Sequence, residues 1–377
     1  MNRRHFLHTA SLGSVVAAAG TTSCISNQRL TNGPPIHRVP KLKLSLDRIV
    51  KETVGLRPFR PSGPRIAKES LGSKTVVHNY GHGGSGWSLS WGTGNLAREH
   101  VLSTGEKRVA VLGCGTVGLA TARLIQEKGC DVTIYAKDLP PNVTSSLATG
   151  TWSPASRVCD PQKATPEFRQ VWENATRFSF RAFQFLLGMN DIAAWVDEYG
   201  VNRERPTGQM EASLGGEVYH LSGLIPERQE LGSKQHPFGA NHVTWRSNMM
   251  FNIPSYLHHQ LSTFIMLGGK LKVHEIKTLE DIDALPEKCV VNCMGLGAKE
   301  VFQDEELTPV SGQLACLIPQ SEVTYKLNAK GASIISRKDG IYLGGNGLVG
   351  NWDTTPKREY TEKFVDVIQS VMNEMRG

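Results

Sequence analysis

One short stretch of the sequence restricts the possible folds more than any other. Arg108–Leu112 is typical of a buried strand and leads into the turn Gly113-Cys114-Gly115-Thr116-Val117-Gly118. An amphipathic stretch follows as far as Lys128, and a second strand-like run covers Asp131–Tyr135. A strand, a GxGxxG turn, a helix and a second strand in this order predict a βαβ unit that binds a dinucleotide.

Each glycine of the turn has its own predicted task. Gly113 permits a tight turn, Gly115 lets the backbone approach a pyrophosphate, and Gly118 allows close helix packing. The amides of Thr116 and Val117 lie at the helix N-terminus, where the helix dipole favours an anion. The pyrophosphate of the cofactor is therefore expected at this turn.

The residues after the second strand are candidates for the rest of the cofactor. Asp138 stands where the fold usually places an acidic residue for the adenosine ribose, and Lys137 is available to a phosphate or to the adenine edge. A solvated loop pair is the alternative for these two residues. Thr144, Ser145 and Ser146 offer hydroxyls and amides suited to the pyrophosphate of the cofactor. The backbone at Gly150 and Thr151 could pass close to its ring.

Composition excludes several classes of function. The chain has 377 residues and a formal net charge of +7, but its Lys and Arg residues are scattered and form no basic helix, which argues against nucleic-acid binding. Its seven Cys show no metal-ligand spacing and are expected to be mostly buried apolar thiols, so no metal site is predicted. The positive charge favours small anionic substrates or an anionic surface.

The N-terminus resembles a targeting signal. Asn2-Arg3-Arg4-His5-Phe6-Leu7 precedes a short apolar run without acidic residues, as in a twin-arginine export signal, and residues 1–24 are assigned to it. An ordinary basic N-terminus is the alternative. Cys24 follows a sequence that resembles a lipoprotein box without its aliphatic residue, so lipidation there is a second, open option. Residues 25–46 read as a tether, and a periplasmic or cell-surface location follows from export.

A second glycine cluster identifies a family. Val76–Gly92 reads VVHNYGHGGSGWSLSWG, in which a strand enters a glycine turn that opens a helix. This stretch closely resembles the D-amino-acid oxidase and D-aspartate oxidase family, in which a near-identical HNYGHGG segment lies over the flavin. Further pieces of the same family occur at 52–61, 290–295, 312–313 and 343–345. The resemblance covers most of the chain from about residue 47 to residue 375 and implies an FAD cofactor.

The order of these pieces is unusual. In the family the GxGxxG strand stands first, whereas the GLRPxRP and HNYGHGG segments end the chain; here both precede it. Reading residues 106–375 first and 47–104 after them restores the family order, which indicates a circular permutation. Five residues between Leu102 and Arg108 can span roughly 18 Å, enough to join a helix to a neighbouring strand. Exchange of residues 47–104 with a neighbouring subunit, in a homodimer, is the alternative.

The resemblance also implies site residues. Arg60 would bind the α-carboxylate of the substrate, and the backbone carbonyl of Gly84 would accept from its amine. Arg57 is favoured as a structural ion-pair partner, and His78 and His82 as structural members of the turn. Backbone around the glycine turn would face the flavin at Gly83, Ser85, Gly86, Trp87 and Ser88.

One departure from the family affects the substrate pocket. The eukaryotic D-amino-acid oxidases place two tyrosines four residues apart before the LGG strand, but the equivalent stretch, Ala329–Ile341, contains none. Tyr325, Tyr342 or Tyr219 are the candidate replacements, and Arg337 is a candidate partner for an acidic side chain. The amino acid preferred is left open by the sequence.

Together these observations predict an α/β flavoprotein with a Rossmann-like FAD domain and a mixed-sheet α+β substrate domain. The FAD domain is assigned to 47–160, 288–300 and 351–377, and the substrate domain to 161–287 and 301–350. The predicted reaction is oxidation of a D-amino acid by FAD and O2 to a 2-keto acid, ammonia and hydrogen peroxide. A dehydrogenase or glycine-oxidase-like enzyme with another electron acceptor, and a catalytically silent flavin-binding protein, are the alternatives.

Overall fold

The computed structural model describes residues 37–189, 192–203 and 223–376. The strands are β1 (Ile49–Phe59), β2 (Arg65–Leu71), β3 (Lys74–Tyr80), β4 (Arg108–Leu112), β5 (Asp131–Ala136), β6 (Ala193–Asn202), β7 (Gln229–Leu231), β8 (His242–Phe251), β9 (Lys270–Val273), β10 (Cys289–Asn292), β11 (Thr308–Leu317), β12 (Lys326–Ala329), β13 (Ala332–Arg337), β14 (Gly340–Gly344) and β15 (Leu348–Val349). The helices are α1 (Gly86–Leu102), α2 (Thr116–Gln126), α3 (Pro166–Gln184), α4 (Ile253–Met266), α5 (Leu279–Asp283), α6 (Ala298–Val301) and α7 (Arg358–Asn373). The predicted signal at 1–24, Cys24 and Tyr219 lie outside the described residues.

The first sheet is six-stranded and contains the predicted βαβ unit. Its order is β2-β3-β10-β4-β5-β9, and all neighbours are parallel except β2 and β3. β4 lies in the interior of this sheet, and Val109–Leu112 are fully buried, as an apolar run covered on both faces requires. The predicted sequence of strand, turn, helix and strand is confirmed by β4, α2 and β5.

The second sheet has nine strands and is mainly antiparallel. Its order is β1-β11-β14-β13-β12-β6-β8-β7, and β15 pairs with β11. Successive residues of a strand point to opposite faces, so each strand contributes to two surfaces. On β11, Ala315 and Leu317 belong to the core beneath α7, whereas Leu314 packs on the other face with Met250 and Ile335. Gly312 shares the face of Leu314, which we call the front of the sheet.

Two predicted assignments differ from this architecture. β1 and α7 belong to the nine-stranded sheet and not to the six-stranded one, because β1 pairs with β11 over ten residues and α7 packs on its rear face. Helix α3 ends at Gln184, and the chain later forms β6, because Ala193–Asn202 pairs with β8 along its whole length. Neighbouring side chains of β6 point to opposite faces of the sheet, and Tyr199 belongs to the core beneath α7.

The end of the predicted tether is packed rather than free. Leu42 is 3% exposed and lies in the core beneath α7, and its N–H donates to the Sδ atom of Met372 at 3.2 Å. The hydroxyl of Tyr325 donates to the carbonyl of Pro40 at 2.8 Å. The assignment of residues 25–46 to a tether is therefore wrong for its described part, because Leu42 has an apolar site to fill.

The segment proposed to be permuted packs on its own chain. β1 pairs with β11, and β3 lies between β2 and β10. α1 ends at Leu102, and β4 begins at Arg108 in the sheet that also contains β2 and β3. Exchange with a second subunit is therefore not needed to complete either sheet.

The described residues contain neither a helix suited to cross a membrane nor a disulfide. None of their helices combines the length and the apolarity that crossing a bilayer requires. Their six cysteines form no disulfide, and five of them are buried, as expected for apolar thiols. Burial raises the pKa of Cys114 to about 12 and that of Cys293 to about 12, so neither is a ready nucleophile.

A buried carboxylate holds the middle of the nine-stranded sheet. Glu198 on β6 is 2% exposed and lies 3.2 Å from Lys326, 3.0 Å from Arg246 and 3.3 Å from Arg228. Asn248 donates a further hydrogen bond at 2.7 Å. Burial alone would raise the pKa of Glu198, but the three cations outweigh it and hold that pKa far below its usual range.

We expect Glu198→Gln to destabilise the fold by about 3–5 kcal/mol, because it removes the buried carboxylate that three partly buried cations share. The folded pKa is depressed, so Glu198 stabilises the native state above its unfolded pKa and loses this effect as the pH falls. Urea unfolding at several pH values measures both effects, and the gap between variant and wild type should narrow below about pH 4. Glu362→Gln, which removes an exposed partner of Arg358, is the control. Equal stability of the two variants at pH 7 would contradict this account.

Candidate functional site

A large cavity lies where the two sheets meet. Its volume is about 630 Å³, and it extends from the GxGxxG turn to the second glycine turn and β1. The ends of the parallel strands β4, β5 and β10 open into it, which is where open α/β sheets bind their ligands. Gly312 brings the front of the nine-stranded sheet to the same cavity.

The GxGxxG turn forms a cradle that only glycines fit. A Cβ at Gly118 would overlap the carbonyl oxygen of Gly113, and a Cβ at Gly113 would lie 2.7 Å from the carbonyl oxygen of Cys293. Gly113 also has φ +105°, which side chains rarely adopt. A Cβ at Gly115 would lie 2.9 Å from the hydroxyl of Ser145. At all three positions a side chain would collide with a neighbour, which is why the motif requires glycine there.

The loop that follows β5 closes the cavity above this turn. Ser145 accepts a hydrogen bond from the amide of Thr116 at 3.0 Å, and its carbonyl accepts from the indole of Trp87 at 3.0 Å. Lys137 and Asp138 are exposed at the end of β5 and line the cavity. Lys137 lies 3.9 Å from Glu275, a weak exposed pair.

Most residues predicted to hold the cofactor lie on this cavity. Those in its lining are Gly83, Gly86, Trp87, Gly113, Gly115, Thr116, Val117, Gly118, Lys137, Asp138, Thr144 and Ser145. Those outside the lining are Ser85, Ser88, Ser146, Gly150 and Thr151.

The residues outside the lining have other partners, with one exception. The Ser85 hydroxyl donates to the carbonyl of Ser156 at 2.9 Å, and the Ser88 hydroxyl accepts from the amide of Ser153 at 2.8 Å. Gly150 accepts from the amide of Phe251, and Thr151 bridges to Met250, so this segment pairs with β8. The Ser146 hydroxyl is buried without a partner in the described residues.

The second glycine turn is hydrogen-bonded to β1. The amide of Gly83 donates to the carbonyl of Pro58 at 2.7 Å, and Gly83 has φ +58°. Gly84 lines the cavity, and none of the described N–H or O–H groups donates to its carbonyl. The helix α1 begins two residues later without a side-chain cap, so its first amides are available to a ligand.

The histidines of this turn are structural, as expected. His82 is buried, and its Nε2 lies 2.9 Å from the hydroxyl of Thr93. Burial lowers the pKa of His82 to about 4, so the ring is neutral at physiological pH. His78 is fully buried, and its Nε2 lies 2.9 Å from Glu69. Burial likewise lowers the pKa of His78.

Arg57 lines the cavity without a carboxylate partner among the described residues. Its guanidinium lies directly over Gly312, where a Cβ would collide with it, and it donates a long hydrogen bond of 3.5 Å to the carbonyl of Val310. Burial and, to a smaller extent, the positive charge of Arg157 lower the pKa of Arg57 to about 10. A half-buried cation in this state is an anion-binding group.

The prediction that Arg60 binds the substrate is contradicted by its partners. Its Nε lies 2.7 Å from Asp304, its Nη2 lies 2.8 Å from Glu306, and its Nη1 donates to the carbonyl of Gly63 at 3.2 Å. Arg60 does not line the cavity. The two roles weighed for the arginines are thus exchanged: Arg60 is the structural ion-pair partner and Arg57 faces the cavity.

The candidate replacements for the tyrosine pair are also engaged elsewhere. Tyr325 lies in the core beneath α7. Arg337 makes two short bonds to Asp339, at 2.7 and 2.5 Å, and stacks on Tyr342, whose hydroxyl donates to the same Asp339. Arg337 is therefore neutralised and is not the expected partner of an acidic substrate side chain.

Sequence reasoning missed part of the cavity wall. Trp352 is 50% exposed and lines the cavity together with Thr354. A further wall is formed by 274–276, immediately after the edge strand β9. No local pattern marks these residues, because their position follows from long-range pairing of β9 with β5 and of β15 with β11. The described residues contain no cluster of metal ligands, and none was predicted.

The cavity fits an extended dinucleotide. Three sterically required glycines leave backbone surface at the start of α2, and the N-terminal residues of α1 and α2 line the cavity. The ribose candidate Asp138 lines the same cavity, as do Arg57 and Gly84. These residues suit a pyrophosphate at the start of α2, an adenosine beside Asp138 and a ring beside Gly84.

Comparison with known proteins agrees with this geometry. The sequence model of the DAO family, described as FAD dependent oxidoreductase, matches residues 36–100 and 108–376. A D-amino-acid oxidase from Rubrobacter xylanophilus is 26% identical over 277 residues, which cover 72% of this chain and 78% of that protein. The D-aspartate oxidase of Homo sapiens is 25% identical over 262 residues, covering 68% and 74% respectively.

One solved structure is similar in fold. An L-amino acid deaminase from Proteus vulgaris, with its specific insertion sequence deleted, gives a TM-score of 0.50 at 14% sequence identity. The match covers 71% of this chain and 75% of that one. Together with the family match, this likeness confirms the predicted fold class.

Proposed function

Because the chain belongs to the DAO family of FAD dependent oxidoreductases, we propose that it oxidises the Cα–N bond of D-amino acids with FAD as its cofactor. The observation that carries this proposal is the pair of Arg57 and Gly84 at one end of the dinucleotide cavity. The D configuration is supported by relatives whose names are D-amino-acid oxidase and D-aspartate oxidase.

Arg57 holds the α-carboxylate of the substrate in this proposal. A guanidinium offers two parallel N–H groups to a carboxylate, and this one has no competing carboxylate among the described residues. The bound anion also relieves the cost of leaving a half-buried cation unpaired. Arg57 thus fixes the substrate in one orientation.

Gly84 fixes the amine. Its carbonyl has no donor within the described part of the chain and can accept a hydrogen bond from the substrate nitrogen. Because Arg57 holds the carboxylate and Gly84 holds the amine, the Cα–H bond of the substrate can point in only one direction. Positioning of the substrate therefore supplies most of the catalysis.

Among the described residues, no side chain near Arg57 and Gly84 is suited to remove a proton. His82 is neutral with its Nε2 beside Thr93, and the hydroxyl of Tyr80 donates to Asp304 at 2.7 Å. Burial raises the pKa of Tyr80 to about 12. The amine therefore enters in its neutral form, and FAD supplies the acceptor for the hydride that leaves Cα. Water hydrolyses the imino acid to a keto acid and ammonia, and O2 regenerates the cofactor with release of hydrogen peroxide.

Two turns would hold the cofactor in the cavity. The amides of Val117 and Gly118 would bind the pyrophosphate, since the amide of Thr116 already donates to the hydroxyl of Ser145. Asp138 would accept from the adenosine ribose. The start of α1, which has no side-chain cap, would favour negative charge on the flavin ring.

Anaerobic addition of D-amino acids to the purified yellow protein tests this function. We expect loss of the flavin absorbance with D-alanine or D-aspartate and none with the L enantiomers, and hydrogen peroxide in stoichiometric amount when air is admitted. Bleaching without peroxide would identify a dehydrogenase. A flavin that stays oxidised with every D-amino acid would refute amine oxidation.

The permuted order and the export signal are separate proposals. The two stretches matched by the family are divided at residues 101–107, and the hydrogen bond between Leu42 and Met372 brings the two ends of the described fold together. Adjacent surface ends are what a circular permutation requires. We propose further that the twin-arginine segment exports the folded protein with its cofactor bound.

A further inference from the structure

We propose that Trp352 packs against the apolar, dimethylbenzene end of the flavin and so determines how tightly the protein holds FAD. The inference rests on the part of the proposed function that names FAD as the cofactor, and it is independent of which amino acid is oxidised. It assigns a role to a residue that lies outside both glycine motifs.

The cavity continues behind β1, which is the edge strand of the nine-stranded sheet. Arg57 lies over Gly312 on the front of this sheet. The residues of β1 that alternate with Arg57 point to the rear, and those among them that line the same cavity are Val54, Leu56 and Pro58. The cavity therefore passes around the free edge of β1. We call its part behind β1 the rear lobe.

The rear lobe is mainly apolar. Met294 and Leu296, which follow β10, join the lining of the cavity, and the backbone between them approaches the ring of Pro58. Among the described residues, the polar side chains in this part of the lining are those of Thr354 and the exposed Glu300. A wall of this composition suits an apolar part of a ligand.

Trp352 lies on this rear side. The side chain of Asn351 donates to the hydroxyl of Ser311 at 3.1 Å, and Ser311 pairs with Leu56. Paired residues of antiparallel strands share a face, so Ser311 points to the rear as Leu56 does. Trp352 is the next residue along the chain, is 50% exposed and lines the cavity. A substrate held by Arg57 on the front is therefore on the other side of β1 from Trp352.

Hydrogen bonds hold the segment that carries this indole before any ligand binds. The amide of Asp353 donates to Asn351 at 3.0 Å, and the amide of Thr355 donates to Asp353 at 2.8 Å. The amide of Lys357 donates to the side chain of Gln313 at 2.8 Å, and that side chain donates back to the carbonyl of Lys357 at 2.9 Å. Because this backbone has little freedom left to lose, an apolar ligand surface that covers the indole is buried at a small entropic cost.

The two ends of a flavin ring match the two sides of the cavity. The pyrimidine end carries N–H and carbonyl groups, whereas the opposite end is a benzene ring with two methyl groups. The start of α1, which has no side-chain cap, offers amides to the pyrimidine end. The rear lobe offers apolar side chains to the methyl-bearing end, and the indole of Trp352 is the largest of them.

Titration of the apoprotein with FAD tests the proposal without turnover. Trp352→Ser should raise the Kd for FAD at least about tenfold, and Trp352→Phe, which keeps an aromatic ring, should raise it less than about threefold. Trp195→Ser is the matched control, because Trp195 is 41% exposed and does not line the cavity. Its Kd should stay within about twofold of wild type. Thermal unfolding of the apoproteins verifies that each variant folds.

A cofactor analogue provides a readout that a merely structural role would not change. An FAD analogue without the two methyl groups of the benzene ring keeps the rest of the cofactor intact. Wild type should bind FAD at least about fivefold more tightly than this analogue. In Trp352→Ser this preference should fall to about twofold or less.

The outcomes separate this proposal from the proposed function. Equal Kd values of wild type and Trp352→Ser for FAD would overturn the role of Trp352. A variant that binds FAD weakly but keeps the full preference for the methylated ring would overturn it as well, because a general disturbance of the fold weakens both cofactors alike. Either result leaves amine oxidation standing. If FAD binding depends on Trp352 as expected but no D-amino acid reduces the flavin, the proposed reaction fails and the assignment of Trp352 stands.

Discussion

Replacing Arg57 by Gln should lower kcat/KM for every D-amino acid by roughly two to three orders of magnitude. The substitution removes the one cation of the described cavity wall that stands near Gly84, and the substrate carboxylate would then be buried without a partner. Steady-state kinetics with D-alanine measure the effect. The flavin content should be unchanged, because Arg57 is not part of the pyrophosphate turn. Arg57→Lys keeps the charge but not the paired N–H groups and should be intermediate.

Arg60→Gln is the matched control, since it removes the other arginine of the same motif. Its guanidinium is 16% exposed and serves Asp304 and Glu306. We expect this variant to lose about 3 kcal/mol of stability and to keep kcat/KM within about threefold. An Arg60 variant that folds and lacks activity, beside an active Arg57 variant, would restore the assignment suggested by sequence alone.

Gly118→Ala should abolish FAD binding. A Cβ at this position would overlap the carbonyl oxygen of Gly113, and the turn cannot yield because Gly113 itself is packed against Cys293. Displacing α2 from the turn moves its amides away from the pyrophosphate. We expect less than about a tenth of the wild-type flavin content and about 2 kcal/mol lower stability of the protein freed of cofactor. Flavin absorbance relative to protein, and thermal unfolding, measure these quantities.

Gly129→Ala at the other end of α2 provides the comparison. Gly129 has φ +76° with open space around it, so the substitution strains the backbone without a collision. It should cost about 1 kcal/mol and leave the flavin content unchanged. Full flavin content in Gly118→Ala would show that the turn tolerates a side chain and would contradict the steric account.

The Rossmann-like part of the fold could be predicted because its signals are local. The apolar run of β4, the glycine turn and α2 lie within about twenty residues, and each determines the next through short-range sterics. The nine-stranded sheet has no such signal. Whether Ala193–Asn202 forms a strand depends on β8, some fifty residues away, and the packing of Leu42 depends on α7 at the other end of the chain.

The site residues could likewise be predicted only where their signals are local. The glycines of both turns were found because their requirements are conformational and belong to the residues themselves. The choice between Arg57 and Arg60 was wrong, since it depends on where Asp304 and Glu306 lie, and these residues are distant in sequence.

The contact between Leu42 and Met372 has a practical consequence for handling the protein. It lies on the rear of the nine-stranded sheet, beneath α7, whereas Gly312 and the cavity belong to the front. The chain therefore enters the described fold on the side away from the substrate. A label coupled to the exposed Lys41 or Lys43, which flank Leu42, is therefore expected to leave access of amino acids to the cavity unhindered.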